Sequence, residues 1–341
     1  MLRRFIASVA ALAALLVLPA AADAQAAPDF YKGKAVTLYI GYSVGGGYDT
    51  YGRIVARFIG RHIPGNPAIV VENMEGAGGL RLANWLAQLA PKDGTAFGIV
   101  SRGTGFDPLL GVSEAAFKGT DFAWLGSANN DVSVCVSWKT SPVETFADVL
   151  TKELTLGAVA GGSDDTAQFP RILNGVLGTK FKMVSGYPGT NDIVLAMERG
   201  EVAGLCGWSW SSVVATHANW IQDKDINVLV QTALDKHKDL PDTPLVMDFA
   251  KTDAQHQILK LIFARETMGR PFLAPPGTDP DRVAILRKAF MDTMNDPDFL
   301  AEARKEKLEI SAVPGDKVEA LVKEIYQTPP DIAKQAAAML D

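Results

Sequence analysis

The chain has 341 residues, 48% of them apolar and 21% charged, and a net charge of −6. This excludes a disordered chain, a collagen-like fibre and a multi-span membrane protein. Without a basic excess no nucleic-acid partner is expected, and two cysteines are too few for a disulfide scaffold or a four-thiolate metal site.

Residues 1–24 read as a cleavable secretory signal peptide. Arg3 and Arg4 open it, Phe5 to Leu18 is apolar, Pro19 breaks the run, and Ala22-Asp23-Ala24 fits an A-x-A cleavage site. The apolar stretch is short for a spanning helix, which needs about 20 residues. The product is expected to be exported, most simply to a bacterial periplasm. Cys135 and Cys206 would then meet an oxidising space and are candidates for a disulfide.

The remaining length suits two domains. Ala35 to Tyr42 is an apolar, β-rich run, followed by a loop with Gly45-Gly46-Gly47. Asp49 or Thr50 is placed to cap a helix whose buried face is Ile54, Val55, Phe58 and Ile59. Ala68 to Met74 reads as a strand, Gly76 to Gly79 as a loop, and Leu82, Trp85, Leu86 and Leu89 as a helix face. Ala96 to Ser101 is a third strand. This β-α-β-α-β order with short links predicts a parallel sheet.

The pattern then repeats. Val132 to Trp138 reads as a strand, and Ser141-Pro142-Val143-Glu144 as a capping box opening a helix. Leu154 to Ala160 is a strand, Gly161 to Thr166 a loop, and Phe169, Ile172, Leu173 and Val176 a helix face. Phe181 to Gly186 is a strand, and Thr190 caps a helix that stops at Gly200. Ala203 to Trp210 and Asn227 to Gln231 are further strands. His237 and His256 fall in or near polar helical segments. From about Pro280 the chain reads as successive amphipathic helices, a tail expected to return to the first lobe.

Four glycine-rich loops thus follow four strands and open four helices. Glycine lets a ligand approach the backbone, and the first helical amides have no partner within the helix. Where parallel strands end, such loops gather, and two facing edges make a cleft suited to a small anion. Arg102, after a strand, is either a surface charge or a bidentate carboxylate clamp. Asp164 and Asp165 read as helix caps that would repel an anion unless paired. Trp208 and Trp210 share one strand face, where an aromatic is either core or pocket wall. Gly41-Tyr42-Ser43-Val44-Gly45 matches the G-x-S-x-G nucleophile elbow, but no histidine lies in the last 85 residues and little chain precedes Ser43, so catalysis is not expected. No G-x-x-x-x-G-K-[ST] occurs, and no cofactor or metal is expected.

The run DFYKGKAVTLYIGYSVGGGYDTYGRIVARFIGRHIPGNPAIVVENMEGAGGLRLANWL, with PKDGT, SPVETFADVL, YPGTNDIVLAMERGEV and GRPFLAPPGTDPDRV, resembles the periplasmic receptors of tripartite tricarboxylate transporters, the Bug family. The resemblance spans nearly the whole chain after residue 24. It implies an α/β, two-lobed periplasmic-binding-protein fold (type II-like), with two parallel-type sheets flanked by helices and a ligand cleft between lobes. Lobe one would hold residues 25–128 and 265–341, lobe two residues 129–264. It implies a small carboxylate ligand held by main-chain donors of the loop Ser43 to Thr50, here Tyr42, Ser43, Gly46, Gly47, Tyr48, Asp49 and Thr50. Gly78 and Gly79 would close beside it, and Arg102, singled out above, is added as a candidate clamp. Ser163, Asp165, Thr166, Tyr187, Thr190 and Trp208 would face them from lobe two. Val44 and Tyr48 replace a proline and a threonine common in relatives, so Tyr48 is expected to reshape the pocket wall. The implied partners are the large and small membrane subunits of a transporter, and the implied state is a monomer. The same binding event could instead signal to a membrane sensor kinase; a periplasmic serine hydrolase using Ser43 is the remaining alternative.

Overall fold

The structure, a computed structural model, describes residues 30–160 and 164–340. The expected signal peptide and Ser163, with Gly161 and Gly162, lie outside the described residues.

β1 (Ala35–Ile40) turns Val36, Leu38 and Ile40 inward and leads into α1 (Gly47–Ile59), which buries Tyr51, Ile54, Val55 and Ile59 along one stripe. β2 (Ala68–Asn73), α2 (Leu80–Gln88) and β3 (Ala96–Ile99) follow, and β2 and β3 flank β1 in parallel. β4 (Ala123–Ser127) leads the chain out of this sheet. The second sheet is built from β5 (Ser133–Trp138), β6 (Leu154–Val159), α3 (Asp165–Leu177), β7 (Phe181–Tyr187), α4 (Thr190–Glu198), β8 (Gly204–Ser209), α5 (Trp210–Gln222) and β9 (Ile226–Thr232). After α6 (Asp253–Phe263) the chain re-enters the first sheet as β10 (Pro271–Ala274). α7 (Pro280–Met294), α8 (Pro297–Lys305), β11 (Val313–Pro314), α9 (Gly315–Ile325) and α10 (Pro330–Ala338) complete it.

The strand orders are β11-β4-β10-β3-β1-β2 and β7-β6-β8-β5-β9. Both sheets are mixed rather than wholly parallel. β4 leaves the first sheet and β10 returns to it as its neighbour, so the two run antiparallel, and β10 is antiparallel to β3 as well. β5 enters the second sheet against β8 and β9 in the same way. Val36, Leu38, Phe97, Phe272 and Phe290 belong to one apolar core, and Val134, Val136, Ile193 and Leu205 to another. A third, with Trp124, Phe169 and Phe263, reaches from one half to the other.

Several local expectations change. No α-helix starts at Ser141: the Glu144 and Thr145 amides donate to Asp148 Oδ2, so the reciprocal bond of a capping box has no donor left. α1 is capped at Gly46 and α4 at Gly189, not at Asp49, Thr50 or Thr190. His237 sits in the irregular segment after β9, where its amide donates to Gln231 Oε1. In the tail, α7 and α8 lie on α1 and α9 on β4, whereas α10 crosses to α6. There Arg171 Nη1 donates to Leu340 O.

Candidate functional site

Between the sheets lies a small, mostly enclosed cavity. Its lining brings together Gly47 and Tyr48 of α1, Arg102 after β3, Asp164 and Asp165 at the start of α3, and Thr190 at the start of α4. Gly207, Trp208, Ser209 and Ser212, from β8 and the start of α5, face Arg270, just before β10. It encloses about 30 Å³ of space open to the centre of a water molecule. Four helices therefore begin on its wall.

Their open charge differs. α3 is capped by its own Asp164, whose Oδ1 accepts from the Thr166 amide at 2.9 Å. The first amides of α5 go to Val132 O and Asp131 Oδ1. The first amides of α1 and α4 have no partner within their helices, and each helix start carries partial positive charge. Gly47 sits where the two halves touch. A Cβ there would lie 2.2 Å from Ser212 Oγ and 3.1 Å from Arg270 Nη2. Gly78, at φ +64°, makes a second close approach, with its Cβ position 2.9 Å from the Asp164 nitrogen.

Three buried guanidiniums knit the halves together. Arg102 donates from Nε to Asp165 Oδ2 (2.6 Å), from Nη1 to Glu266 Oε2 (2.7 Å), and from Nη2 to Ser133 Oγ and Ser209 Oγ. Arg265 Nη1 donates to Asp165 Oδ1 (3.1 Å) and Gln168 Oε1 (2.6 Å). Arg270 donates to Ser209 Oγ and Ser212 Oγ and lies 3.6 Å from Asp131. Among the described residues its Nε has no partner. Burial pushes the Glu266 and Asp107 carboxyls well up, against the opposing pull of Arg102 and Arg265 respectively. Burial and then neighbouring Asp165 raise Asp164. Burial, then Asp164, holds the Tyr42 phenol protonated, so Tyr42 donates to Asp164 Oδ2 at 2.6 Å and to Gly78 O. Tyr48 Oη accepts from the Arg102 amide at 3.1 Å, and its ring stacks on Tyr42 with centroids 4.4 Å apart.

Of the residues expected from sequence, Gly47, Tyr48, Arg102, Asp165, Thr190 and Trp208 line the cavity. Tyr42 stands behind Tyr48. Gly46 caps α1 and accepts at its carbonyl from the amide and hydroxyl of Thr50. Ser43 Oγ lies beside Gly189, within 2.5 Å of that residue's Cβ position. Gly78 touches Asp164, and Gly79 lies behind it, against Ser101 and Tyr42.

Four expected contacts fall elsewhere. Asp49 faces away, tying the loop down through Gly45 N, Arg53 Nε and Asn73 Nδ2. Its carboxyl is held down by Arg53, Asn73 and Gly45 against the opposing effect of burial. Thr50 lines an outer groove with Arg53 and Arg57 instead. Thr166 is consumed by the α3 cap, accepting from Val159 N. Tyr187 lies half-buried against the second core, away from the cavity wall.

Arg102, open between surface charge and clamp, is a buried clamp on the protein's own carboxylates. Arg265, Glu266 and Arg270 were not expected at the site. Their signal is three charges in the otherwise apolar run Leu261 to Leu273. Asp131, Ser133, Ser209 and Ser212 carried none. No histidine bonds to Ser43. His62 pairs with Asp296, His217 with Thr216 and His237 with Glu309, and His256 is exposed on α6. None of the four histidines therefore stands as a base beside Ser43. Cys135 and Cys206, on neighbouring strands β5 and β8, are paired as a disulfide. Among the described residues, no helix is long and apolar enough to cross a membrane.

No family model matches the chain. A UPF0065 protein from the TAR-I ttuE-ttuC' intergenic region of Agrobacterium vitis is 27% identical over 244 residues, 70% of this chain and 67% of its own length. The periplasmic binding protein BugD has a structure similar at a TM-score of 0.70 and 19% identity, over 89% of this chain and 97% of that one. MatC of Rhodopseudomonas palustris, with bound malate, is similar at a TM-score of 0.69 and 20% identity, over 88% of this chain and 99% of that one. The resemblance read from sequence thus extends to the fold: the chain has the two-lobed architecture of the Bug-type periplasmic binding proteins.

Proposed function

We propose that this chain is an extracytoplasmic solute receptor of the Bug family. It encloses a small carboxylate between its lobes and delivers it to the large and small subunits of a membrane transporter. The observation that carries this reading is the cavity between the sheets, where the open starts of α1 and α4 meet Arg102 and Arg270. A carboxylate there accepts from helix amides and guanidinium N–H groups, each helix terminus contributing about 0.3–1 kcal/mol or more as water is excluded. The malate bound to the similarly folded MatC supports the ligand class. The basic, apolar and small-residue parts of residues 1–24 support export to a periplasm. Lobe boundaries near 128/129 and 264/265 belong to the same proposal, since the chain passes between sheets from β4 to β5 and from α6 to β10. Binding by lobe closure needs neither a nucleophile nor a cofactor.

The test is thermal unfolding of the protein lacking residues 1–24 against mono-, di- and tricarboxylates, amino acids and aromatic acids. A ligand at 100 times its Kd adds about 2.7 kcal/mol, several degrees in Tm. A shift with one carboxylate group is the expected result. A flat panel from protein that native mass spectrometry shows to be empty would overturn the reading.

A further inference from the structure

The cavity between the lobes is small, and the Tyr48 ring forms part of its wall. One water needs about 10–15 Å³ of such space, so the cavity's 30 Å³ holds two or three waters. One of its walls is the Tyr48 ring. One face stacks on Tyr42 at 4.4 Å with an interplanar angle of 8°, and the Arg270 guanidinium lies 4.8 Å from the ring centre. The phenol oxygen is tied to the Arg102 amide. Tyr42 in turn is fixed by Gly78 and Asp164 across the cleft. Trp208, 3% exposed, lines the cavity and packs edge-on to Trp220. The Tyr48 ring is thus held on its faces by Tyr42 and Arg270 and at its tip by the Arg102 amide. More room requires the lobes to part, which breaks the bonds from Arg102 to Asp165 and from Tyr42 to Asp164.

We infer that Tyr48 is the residue that sets ligand length, and that the closed site takes a short monocarboxylic acid of at most two or three carbons. This rests on the receptor reading above and narrows it. The carboxylate would accept from the α1 and α4 amides and from the free Nε of Arg270. A longer chain would run into the Tyr48 ring. Tyr48→Ala removes the ring while keeping a good helix former in the first turn of α1.

The experiment is calorimetric titration of formate, acetate, glycolate, succinate, adipate and benzoate into the wild type, Tyr48→Ala and Tyr48→Phe. The wild type is expected to bind acetate or glycolate at least tenfold more tightly than adipate. Tyr48→Ala should gain at least tenfold for succinate or adipate, and Tyr48→Phe should keep the wild-type order. If Tyr48→Ala does not fold, Tyr48→Leu, shorter and unanchored at its tip, makes the same comparison. A wild type that prefers adipate or succinate to acetate would overturn the length limit and leave the receptor reading standing. An unchanged order in the foldable small variant would remove Tyr48 as its cause. Binding of no carboxylate by any variant would overturn both.

Discussion

At Gly47 the halves meet so closely that a methyl group would displace the Ser212 hydroxyl. Ser212 Oγ across the cleft and Arg270 Nη2 from its own lobe stand at 2.2 and 3.1 Å from where a Cβ would sit. Gly47→Ala favours the helix by about 1 kcal/mol through propensity, so the lobe itself should fold as before. Closure, however, would require Ser212 to turn away from Arg270. Carboxylate affinity should fall at least tenfold with Tm in the absence of ligand within a few degrees of the wild type, as calorimetry and thermal unfolding would show. Undiminished affinity would mean that the lobes do not meet at Gly47. The legibility of the site also splits residue by residue. Gly47, Tyr48, Thr190 and Trp208 announce themselves by glycine-rich loops and strand ends. Asp49 and Thr166 share those loops, yet their side chains turn back, Asp49 to the Gly45 amide and Thr166 to the Val159 amide and Asp164. Position in a loop does not fix the direction of a side chain. Arg270 escaped because its role exists only once two distant segments are brought together.

Elements joined across the chain carry the next two predictions. The segment after β9 meets the segment after α8 through His237 Nε2 and Glu309 Oε2 at 3.2 Å, with Asp239 at 3.7 Å from His237 and Lys238 near Glu309 at 3.9 Å. The hydrogen bond to Glu309, and its charge, raise the His237 pKa despite burial. A histidine raised in the folded state stabilises fully below its unfolded value of about 6.5 and loses that contribution as pH rises through the folded value. His237→Gln should therefore lower Tm by about 1–3 °C at pH 5.5, and the gap should shrink as pH rises through the raised folded pKa. A pH-independent gap would assign the effect to packing. In the second sheet, Cys135 and Cys206 join β5 to β8 across 71 residues of sequence. No free thiol should titrate in the protein denatured without reductant, and the double Cys→Ala variant should lose about 2–4 kcal/mol. Two titrating thiols would remove the bond. The strands and helices were the legible level. Apolar runs closed by glycine fix β1, β2, β3, β6 and β7, while the pairing of β4, β10 and β11 depends on where the chain leaves and re-enters the sheet.

For the whole molecule, the two passages between sheets make both sheets mixed and set the cleft between strand ends of each half. That follows from chain order: a strand leaving a sheet and a strand returning beside it must run in opposite directions. The sequence pattern alone read the sheets as parallel because each β-α-β stretch is locally so. The return of α10 to α6 was equally out of sight, since an amphipathic helix shows which face is buried and not against what. The closed arrangement is held by Arg102, Arg265 and Arg270 on carboxyl groups of the protein, with little space left between. Opening must part the Arg102–Asp165 and Tyr42–Asp164 contacts, and the proposed carboxylate would offer new partners to the α1 and α4 amides and to Arg270. The most direct test is small-angle X-ray scattering of the wild type during titration with the carboxylate that shifts its Tm. The radius of gyration should fall to that of the closed form as the site fills, with no such fall in Gly47→Ala. Saturable binding with an unchanged radius of gyration, in protein shown to be free of ligand at the start, would contradict capture by lobe closure.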